Sequence, residues 1–164
     1  MPHSILLYDG VCGLCNWLVQ FTLKRDPAGV FQFASLQSKL AGLILARHGA
    51  DAGDLDTVYV LVNCDREDEK LLARSDAVIF ILQQLSAAEP RSTHPGLRPG
   101  SAQATPIGGF SFWQLVAGVL QLIPRVLREW GYRVVARNRY RVFGRYDTCP
   151  VPTEETRRRF LDLD

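Results

Sequence analysis

The sequence predicts an α/β protein in which helices cover a mixed β-sheet in the order β-α-β-α-β-β-α, followed by a C-terminal helical extension. Three observations lead to this class. Short apolar runs alternate with helical patterns over the first half of the chain, two later runs are joined by a short polar loop, and helical periodicity dominates the last third. The 164 residues are 47% hydrophobic and 22% charged, which suits one domain with a buried core.

The first three elements form a predicted β-α-β unit. Residues 4–8 are a short apolar run that ends at an Asp-Gly step, as a buried strand does. The helix that follows has an apolar face at i, i+3, i+4 and i+7, which consists of Leu14, Trp17, Leu18 and Phe21. Asp26-Pro27 ends this helix, and residues 30–34 alternate between apolar and polar as a second strand does. Such a unit implies parallel strands with a right-handed crossover.

The next elements are a helix, a hairpin and another helix. They are predicted as a helix from Ser35 or Ser38 to about residue 47, a strand over 57–62, a polar loop over 63–69, a strand near 70–73 and a helix over 76–85. The run 57–62 is almost wholly β-branched or apolar, which favours a strand. Ser75 is a suitable N-cap for the last helix. This order is that of the thioredoxin-like plan.

The rest of the chain changes character. Residues 87–109 hold four prolines with several Gly, Ser and Thr, which predicts a long loop, and apolar helical patterns follow near 110–123 and 125–142. We therefore divide the chain into a thioredoxin-like core over 1–88, a Pro/Gly-rich loop over 89–109 and a helical extension over 110–164. The extension is expected to pack on the core as part of the same domain.

Charge and hydropathy exclude several classes of function. The formal net charge of +2 is too small to imply a nucleic-acid partner. The amino terminus lacks the basic and apolar regions of a signal peptide, and polar residues interrupt the longest apolar run, so no membrane span is expected. We expect a cytoplasmic protein, in which four cysteines are catalytic, metal-binding or buried rather than cross-linked.

The motif YDGVCGLCN, residues 8–16, carries the candidate chemistry. It places Cys12 at the predicted start of a helix, where free N–H groups and the helix dipole favour a thiolate. We therefore expect Cys12 to be exposed and to act as the nucleophile. Cys15 lies one turn further along, less exposed, and is placed to resolve a mixed disulfide. Asp9 has two interpretations: a proton acceptor or relay for Cys15, or a turn residue that binds nearby backbone N–H groups.

The pattern Asp9-x-x-Cys12-x-x-Cys15 resembles that of the DCC family of thiol-disulfide oxidoreductase-like proteins. Residues 75–82, residues 122–144 and the Cys149-Pro150 tail resemble later blocks of the same family. The resemblance implies a thioredoxin-like fold and dithiol-disulfide activity. It implies no cofactor other than a redox-active Cys12–Cys15 disulfide. The expected partner is a disulfide-containing protein or a small thiol such as glutathione.

Other residues are expected at the same edge of the sheet. The third strand should begin there with Asp56 and Thr57, and the fourth should return there with Arg74, Ser75 and Asp76. In glutaredoxins the start of this helix grips the anionic ends of glutathione, and Arg74 with the N–H groups of Ser75 and Asp76 suits that role. The alternative is a helix cap beside a solvated arginine.

Three further questions concern the remaining thiols and arginines. Cys149 is either a third redox partner or a packed or exposed tail thiol, whereas Cys64 is expected at the far edge of the sheet with no catalytic part. Thioredoxins carry a cis-proline at the position that corresponds to residues 54–57, and this chain has no proline there. Its absence keeps a metal-binding or iron-sulfur module on Cys12 and Cys15 as an alternative function, although no histidine has the spacing of a metal ligand with this pair. Seven arginines in 125–145 form either a solvated face or the contact surface of a non-catalytic interaction domain.

Overall fold

The computed structural model describes residues 4–51, 53–87, 112–146 and 154–162 of the chain. The elements in these ranges are β1 (Ser4–Tyr8), α1 (Gly13–Arg25), β2 (Phe31–Ser35), α2 (Lys39–Arg47), β3 (Tyr59–Val62), β4 (Lys70–Ala73), α3 (Arg74–Ala87), α4 (Phe112–Leu122), α5 (Arg125–Phe143) and α6 (Glu154–Arg157). The predicted order β-α-β-α-β-β-α is confirmed. The predicted loop 89–109 lies outside the described residues and stays a prediction.

The four strands form one mixed sheet in the order β2-β1-β3-β4. β1 pairs in parallel with β2 and antiparallel with β3, and β4 completes an antiparallel hairpin with β3. Leu6 lies in the middle of the sheet, opposite Phe33 on one side and Val60 on the other. This mixed α/β arrangement is consistent with the predicted thioredoxin-like fold. It brings the carboxyl-terminal end of β1 and the beginning of β3 to the same end of the sheet, where the motif lies.

Each face of the sheet has its own core, because successive side chains of a strand point to opposite faces. Leu6 and Tyr8 of β1 pack in one core with α1 and α3, whereas Ile5 and Leu7 pack in the other with α2. All five residues of β1 are buried. This burial on both faces explains why the sequence of β1 is a continuous apolar run rather than an alternating one.

The apolar face predicted for α1 is only partly right. Phe21 is buried, but Trp17 is 58% exposed, and the stripe that faces the sheet is formed by Cys15, Val19 and Thr22. Thr22 can be buried because its hydroxyl donates a hydrogen bond to the carbonyl of Leu18 at 2.9 Å. The helix is therefore rotated relative to the prediction, which leaves Trp17 and its neighbours facing the C-terminal helices.

The helical extension packs on the core through α3 and α1. Helix α4 contacts α3, and α5 contacts both α1 and α3. Neither the helices of the extension nor the other described helices are long and apolar enough to cross a membrane. The extension thus supplies the third wall of the region around the motif, beside α1 and the sheet.

The last described residues lie beside the edge strand β2. Phe33 donates its N–H to Arg159 O at 2.8 Å, and Leu161 donates its N–H to Phe33 O at 2.9 Å. The Phe160 ring stacks on Phe33 with centroids 5.2 Å apart, and Arg159 forms an ion pair with buried Asp26. These contacts satisfy backbone groups that an edge strand otherwise leaves unpaired.

Candidate active site

The two cysteines of the motif lie where β1 passes into α1. Cys12 is the N-cap residue of α1, with extended backbone angles (φ −85°, ψ 124°), and its sulfur accepts the backbone N–H of Cys15 at 3.4 Å. The sulfur thus takes the place of an N-cap oxygen, among unpaired N–H groups and at the positive end of the helix dipole. The predicted position of Cys12 at a strand-to-helix turn is confirmed.

The two sulfurs have opposite protonation preferences. A hydrogen bond from the Cys15 thiol is the main reason that the pKa of Cys12 falls to about 6. Burial opposes this shift, whereas the Cys15 backbone N–H and the positive charge of Arg139 assist it. The pKa of Cys15 is raised far above its usual range, because its proton is held in the bond to Cys12 and because burial disfavours a second thiolate. Cys12 is therefore the sulfur that ionises first.

The expected exposure of Cys12 is wrong. Cys12 is 0% exposed and Cys15 is 3% exposed. The chain that follows α5 covers the motif: Gly13 donates its N–H to Gly144 O at 3.2 Å, and Tyr146 donates its N–H to the carbonyl of the residue before Cys12 at 2.8 Å. The expectation considered only the local strand and helix, whereas this cover comes from a distant part of the chain.

Gly13 is the point at which the covering segment, residues 143–146, comes closest to α1. A Cβ atom on Gly13 would lie 2.1 Å from the carbonyl oxygen of Phe143. Because that oxygen belongs to the backbone, a side chain at this position requires the covering segment to move. Sequence reasoning gave Gly13 no role, although a glycine between two functional residues is a signal of close backbone approach.

Replacing Gly13 with alanine is expected to lower the free energy of unfolding by about 1–3 kcal/mol, because the added methyl group displaces the covering segment. The same displacement should expose Cys12 and accelerate its reaction with a bulky thiol reagent. Urea unfolding and the rate of modification measure the two effects. Gly42→Ala is the matched control, because Gly42 is also helical and a Cβ there meets no atom within 4 Å. Equal stability and equal reactivity of the two variants would contradict the assigned role of Gly13.

Asp9 is completely buried beneath the C-terminal end of α5. Its carboxylate accepts hydrogen bonds from Arg139 Nη2 at 3.0 Å, from Gln37 Nε2 at 2.8 Å and from the Tyr140 hydroxyl. It also accepts the backbone N–H of Val11 at 3.2 Å, which is the bond that the turn interpretation predicts. The role of Asp9 as a proton acceptor for Cys15 stays a prediction.

Arg139 is the site residue that sequence reasoning missed. Its side chain is 2% exposed, and Nη2 lies 3.0 Å from Asp9 Oδ2 and 3.3 Å from Asp56 Oδ1. Its charge lowers the pKa of both cysteines. Three of the other arginines in 125–145 are exposed and share one helical stripe: Arg133, Arg137 and Arg141. Arg139 lies off that stripe, three residues after buried Ala136, and this helical spacing is the signal that marks it as inward-facing.

Three of the predicted substrate residues are neighbours in the structure. Arg74 donates Nε–H to Thr57 Oγ1 at 3.3 Å, and Asp56 pairs with Arg139 as described above. Asp56, Thr57 and Arg74 line one cavity of about 270 Å³, and its other lining residues include Tyr132, Arg133 and Arg137. The start of β3 therefore lies near the motif, as the topology predicts. Substrate binding by these residues stays a prediction.

The other two predicted substrate residues are bonded to α5. Arg128 donates Nε–H to Ser75 Oγ at 2.9 Å and forms an ion pair with Asp76. Arg125 also pairs with Asp76, at 3.0 Å, and Glu129 accepts a hydrogen bond from the Ser75 hydroxyl. The side chains at the start of α3 thus hold the helical extension in place. An anion-binding role for them stays a prediction.

Cys64 lies beyond the end of β3, at the edge of the sheet opposite the motif, as predicted. Burial is the main cause that raises its pKa. Within the described ranges, the side chains that could hold a metal ion as a group of three or more are Cys64, Asp65 and Glu69. Glu69 already accepts hydrogen bonds from His48 at 2.9 Å and from the Asp65 N–H at 2.8 Å. Cys149 lies outside the described residues, so its part in the chemistry stays a prediction.

Comparisons with known proteins identify the family of this chain. The family model of the DCC1-like thiol-disulfide oxidoreductases matches residues 6–107. The Bacillus subtilis (strain 168) protein YuxK, described as uncharacterized, is 30% identical over 161 residues, which cover 98% of this chain and 96% of YuxK. A DCC family protein of Arabidopsis thaliana, described as chloroplastic, is 32% identical over 91% of this chain and 70% of its own length. No solved structure matches significantly. The chain belongs to the DCC1-like thiol-disulfide oxidoreductase family.

Proposed function

We propose that this chain exchanges thiols and disulfides through Cys12 and Cys15, with Cys12 as the nucleophile and Cys15 as the resolving thiol. The observation that carries the proposal is the geometry of the pair. The Cys12 sulfur accepts the Cys15 N–H at the start of α1, while buried Arg139 supplies a positive charge beside both sulfurs. The helix start and the Arg139 charge thus stabilise a thiolate on Cys12.

The reaction has two steps. In the first, the Cys12 thiolate attacks one sulfur of a substrate disulfide R–S–S–R′, forms a mixed disulfide Cys12–S–S–R, and releases R′–S⁻ with the electron pair of the broken bond. In the second, Cys15 loses its proton and attacks the Cys12 sulfur, which releases R–S⁻ and leaves a Cys12–Cys15 disulfide. The substrate gains the two electrons that the two thiols lose, and an external dithiol restores the reduced pair.

The second step requires a proton acceptor for Cys15, and we assign that role to Asp9. The Asp9 backbone N–H is one of the groups that favour a Cys15 thiolate and so oppose the rise of the Cys15 pKa, which supports a role for Asp9 near the thiol that must ionise. The Asp9 carboxylate is held by Arg139 and Gln37, so its position is set before the substrate arrives. Asp9→Asn, which preserves the shape, should slow the second step and let the mixed disulfide on Cys12 accumulate.

The ionisation of Cys12 gives a direct test. The ultraviolet absorbance of the reduced protein, corrected by that of Cys12→Ser, should rise with pH through a midpoint of about 6. The sign follows from the structure: the hydrogen bond from Cys15 stabilises the thiolate, so the thiolate forms at a lower pH than in a free cysteine. A midpoint near the unperturbed value of about 8.5 would contradict the proposal and favour a non-catalytic interaction domain.

A Cys15→Ser variant tests the division of labour between the two sulfurs. It should complete the first step and then stop, so that Cys12 retains the substrate as a mixed disulfide. Mass spectrometry of the modified peptide locates the bond. If the adduct forms only on Cys64 or Cys149, the assignment of Cys12 as the nucleophile is wrong.

The alternative function is a metal or iron-sulfur module on the same pair. Both sulfurs are buried among the described residues, which disfavours a site shared between two copies of the chain. Elemental analysis and the visible spectrum of protein purified without oxygen separate the two functions. Bound metal in a stoichiometric amount would support the module and count against disulfide exchange.

The partner and the compartment are proposed from the family and the composition. The substrate is a disulfide-containing protein or a small thiol or disulfide, and glutathione remains a candidate through Arg74 and the start of α3. A cytoplasmic location remains our proposal from the sequence, whereas the description of the Arabidopsis relative is chloroplastic. Labelling of the native thiols in intact cells before lysis would report whether the pair is reduced where the protein resides.

A further inference from the structure

An apolar cleft lies directly beside the candidate active site, between α1, α3 and α5. It has a volume of about 260 Å³, and its lining residues include Leu14, Cys15, Leu18, Val58, Val78 and Tyr132. Trp17 and Val135, which also line it, are 58% and 49% exposed. Large apolar side chains are therefore half exposed in the wall of the cleft that also contains the Cys15 sulfur. This placement is what a binding site for an apolar group requires.

The cleft continues away from the cysteines. A second cavity of about 350 Å³ shares Val78, Gly131, Tyr132 and Val135 with the first. It extends between α3 and the helical extension, where Leu120, Ile123 and Leu127 are among its lining residues. The two cavities adjoin along these shared side chains, and we call them together the α5 groove. Its inner end is the cavity that Cys15 lines, and Ser75 and Arg128 also line its outer end.

Val58 has no free backbone hydrogen-bonding group to offer an extended peptide. It lines the α5 groove directly before β3, where such a peptide could pair with its backbone. Its N–H is donated to the Tyr132 hydroxyl at 2.9 Å, and its carbonyl accepts the N–H of Arg74 at 2.9 Å. Both hydrogen-bonding groups of Val58 are thus already used, so recognition has to come from the organic group of the substrate.

The charges at the inner end of the α5 groove also limit the ligand. The charged residue that lines the cavity beside Cys15 is Arg139. Its Nη2 pairs with the carboxylates of Asp9 and Asp56, whereas its buried Nε has no hydrogen-bond partner among the described residues. A ligand carboxylate there would meet a cation whose charge two carboxylates already balance, so one N–H group would not offset the loss of its hydration. An uncharged apolar group gains the free energy of leaving water without this cost.

We propose that the α5 groove binds the uncharged apolar organic group of a small disulfide or thiol that exchanges with Cys12. The proposal rests on the proposed function, because it names the substrate class of that exchange. The Cys12 sulfur accepts the Cys15 backbone N–H at 3.4 Å, and Cys15 lines the groove whereas Cys12 does not, so a group joined to Cys12 through sulfur has to pass Cys15 to enter the groove. Apolar substituents are therefore favoured over charged ones such as those of glutathione.

Alkyl methanethiosulfonates test this preference, because they share one leaving group and differ only in the alkyl chain. The Cys12 thiolate attacks the sulfenyl sulfur of R–S–SO₂CH₃, the Cys12–S–S–R bond forms, and methanesulfinate leaves with the electron pair. The rates are measured on the Cys12 peptide of Cys15→Ser, from methyl to butyl, with anionic 2-sulfonatoethyl as the charged probe. Each methylene should raise the rate by up to about fourfold relative to free cysteine, and the charged probe should be slower than ethyl.

Gly131 provides a matched pair of variants. It lies on α5 and lines both cavities, and a Cβ there meets no atom within 4 Å, so a leucine fills the groove without a backbone clash. Gly118 on α4 is equally free of contacts and is exposed, and neither cavity includes it among its lining residues. Gly131→Leu should lower the butyl-to-methyl rate ratio by about tenfold or more, while Gly118→Leu should preserve it. Gly131→Ala should give a smaller loss and serves if the leucine variant does not fold.

The outcomes separate the inference from the function on which it rests. If Cys12 reacts but the butyl-to-methyl ratio equals that of free cysteine, or if Gly131→Leu and Gly118→Leu behave alike, the groove is not the binding site and the inference is overturned. The proposed function is judged independently, by whether the wild-type pair cycles between dithiol and disulfide with oxidised and reduced dithiothreitol. A pair that does not cycle overturns the proposed function even where Cys12 shows alkyl selectivity.

Discussion

A Cys12→Ser variant is expected to reduce a model disulfide at least about a thousandfold more slowly than the wild-type protein. The pKa of Cys12 is about 6, so its thiolate predominates at neutral pH, whereas a serine hydroxyl at this position stays protonated. The remaining thiol cannot compensate, because the pKa of Cys15 is raised far above its usual range. The measurement is the steady-state rate of reduction with dithiothreitol as the electron donor.

Cys64→Ser is the matched control for this experiment. Cys64 lies at the far edge of the sheet, and burial and nearby carboxylates raise its pKa, so its removal should leave the rate unchanged. Cys15→Ser should complete a single turnover and then stop. Wild-type turnover by Cys12→Ser would show that another thiol performs the first attack, and the proposed mechanism would then be wrong.

Replacing Arg139 with methionine is expected to lower the free energy of unfolding by about 3–5 kcal/mol. The two side chains of this pair are 2% and 0% exposed, so the Asp9 carboxylate would remain buried without its cationic partner. The pKa of Cys12 should rise in the same variant, because the Arg139 charge helps to lower it. Urea unfolding and the pH dependence of thiolate absorbance measure the two effects separately.

Arg141→Met is the matched control, because Arg141 lies on the same helix and is exposed. It should change the free energy of unfolding by no more than about 0.5 kcal/mol. The double variant Asp9→Asn with Arg139→Met should lose less stability than the sum of the two single variants, because it leaves no unpaired charge in the core. If Arg139→Met is as stable as Arg141→Met, the buried pair does not support this end of the fold.

The covering segment, residues 143–146, limits how a substrate reaches Cys12. Cys12 lies under the covering segment, and the contacts that hold this segment include two backbone hydrogen bonds, to Gly13 and to the residue before Cys12. A substrate that reaches Cys12 has to displace these contacts or to approach along the Cys15 wall. The variants Gly13→Ala and Gly131→Leu report on these two routes independently. Gly13→Ala loosens the covering segment, whereas Gly131→Leu fills the α5 groove.

Local sequence patterns predicted most of the secondary structure. The strand at residues 4–8, the hairpin and the helix capped by Ser38 were recognisable, because hydrophobic spacing and capping residues act within a few positions of the chain. The face of α1 was less predictable. Trp17 fits an apolar helical stripe, but the stripe containing Cys15 and Thr22 is the buried one, since Thr22 can satisfy its hydroxyl within the helix.

By itself, the sequence determined the fold class, the family and the positions of Cys12 and Cys15. Cys12 and Cys15 are one helical turn apart at a strand-to-helix junction, and that relation is contained in nine consecutive residues. Only the tertiary structure decided which groups surround them. Arg139 lies 130 positions from Asp9 along the chain, and the covering segment is as distant from Gly13. The physical reason is that burial and ion pairing depend on how α5 packs across the core, and no local spacing encodes that packing.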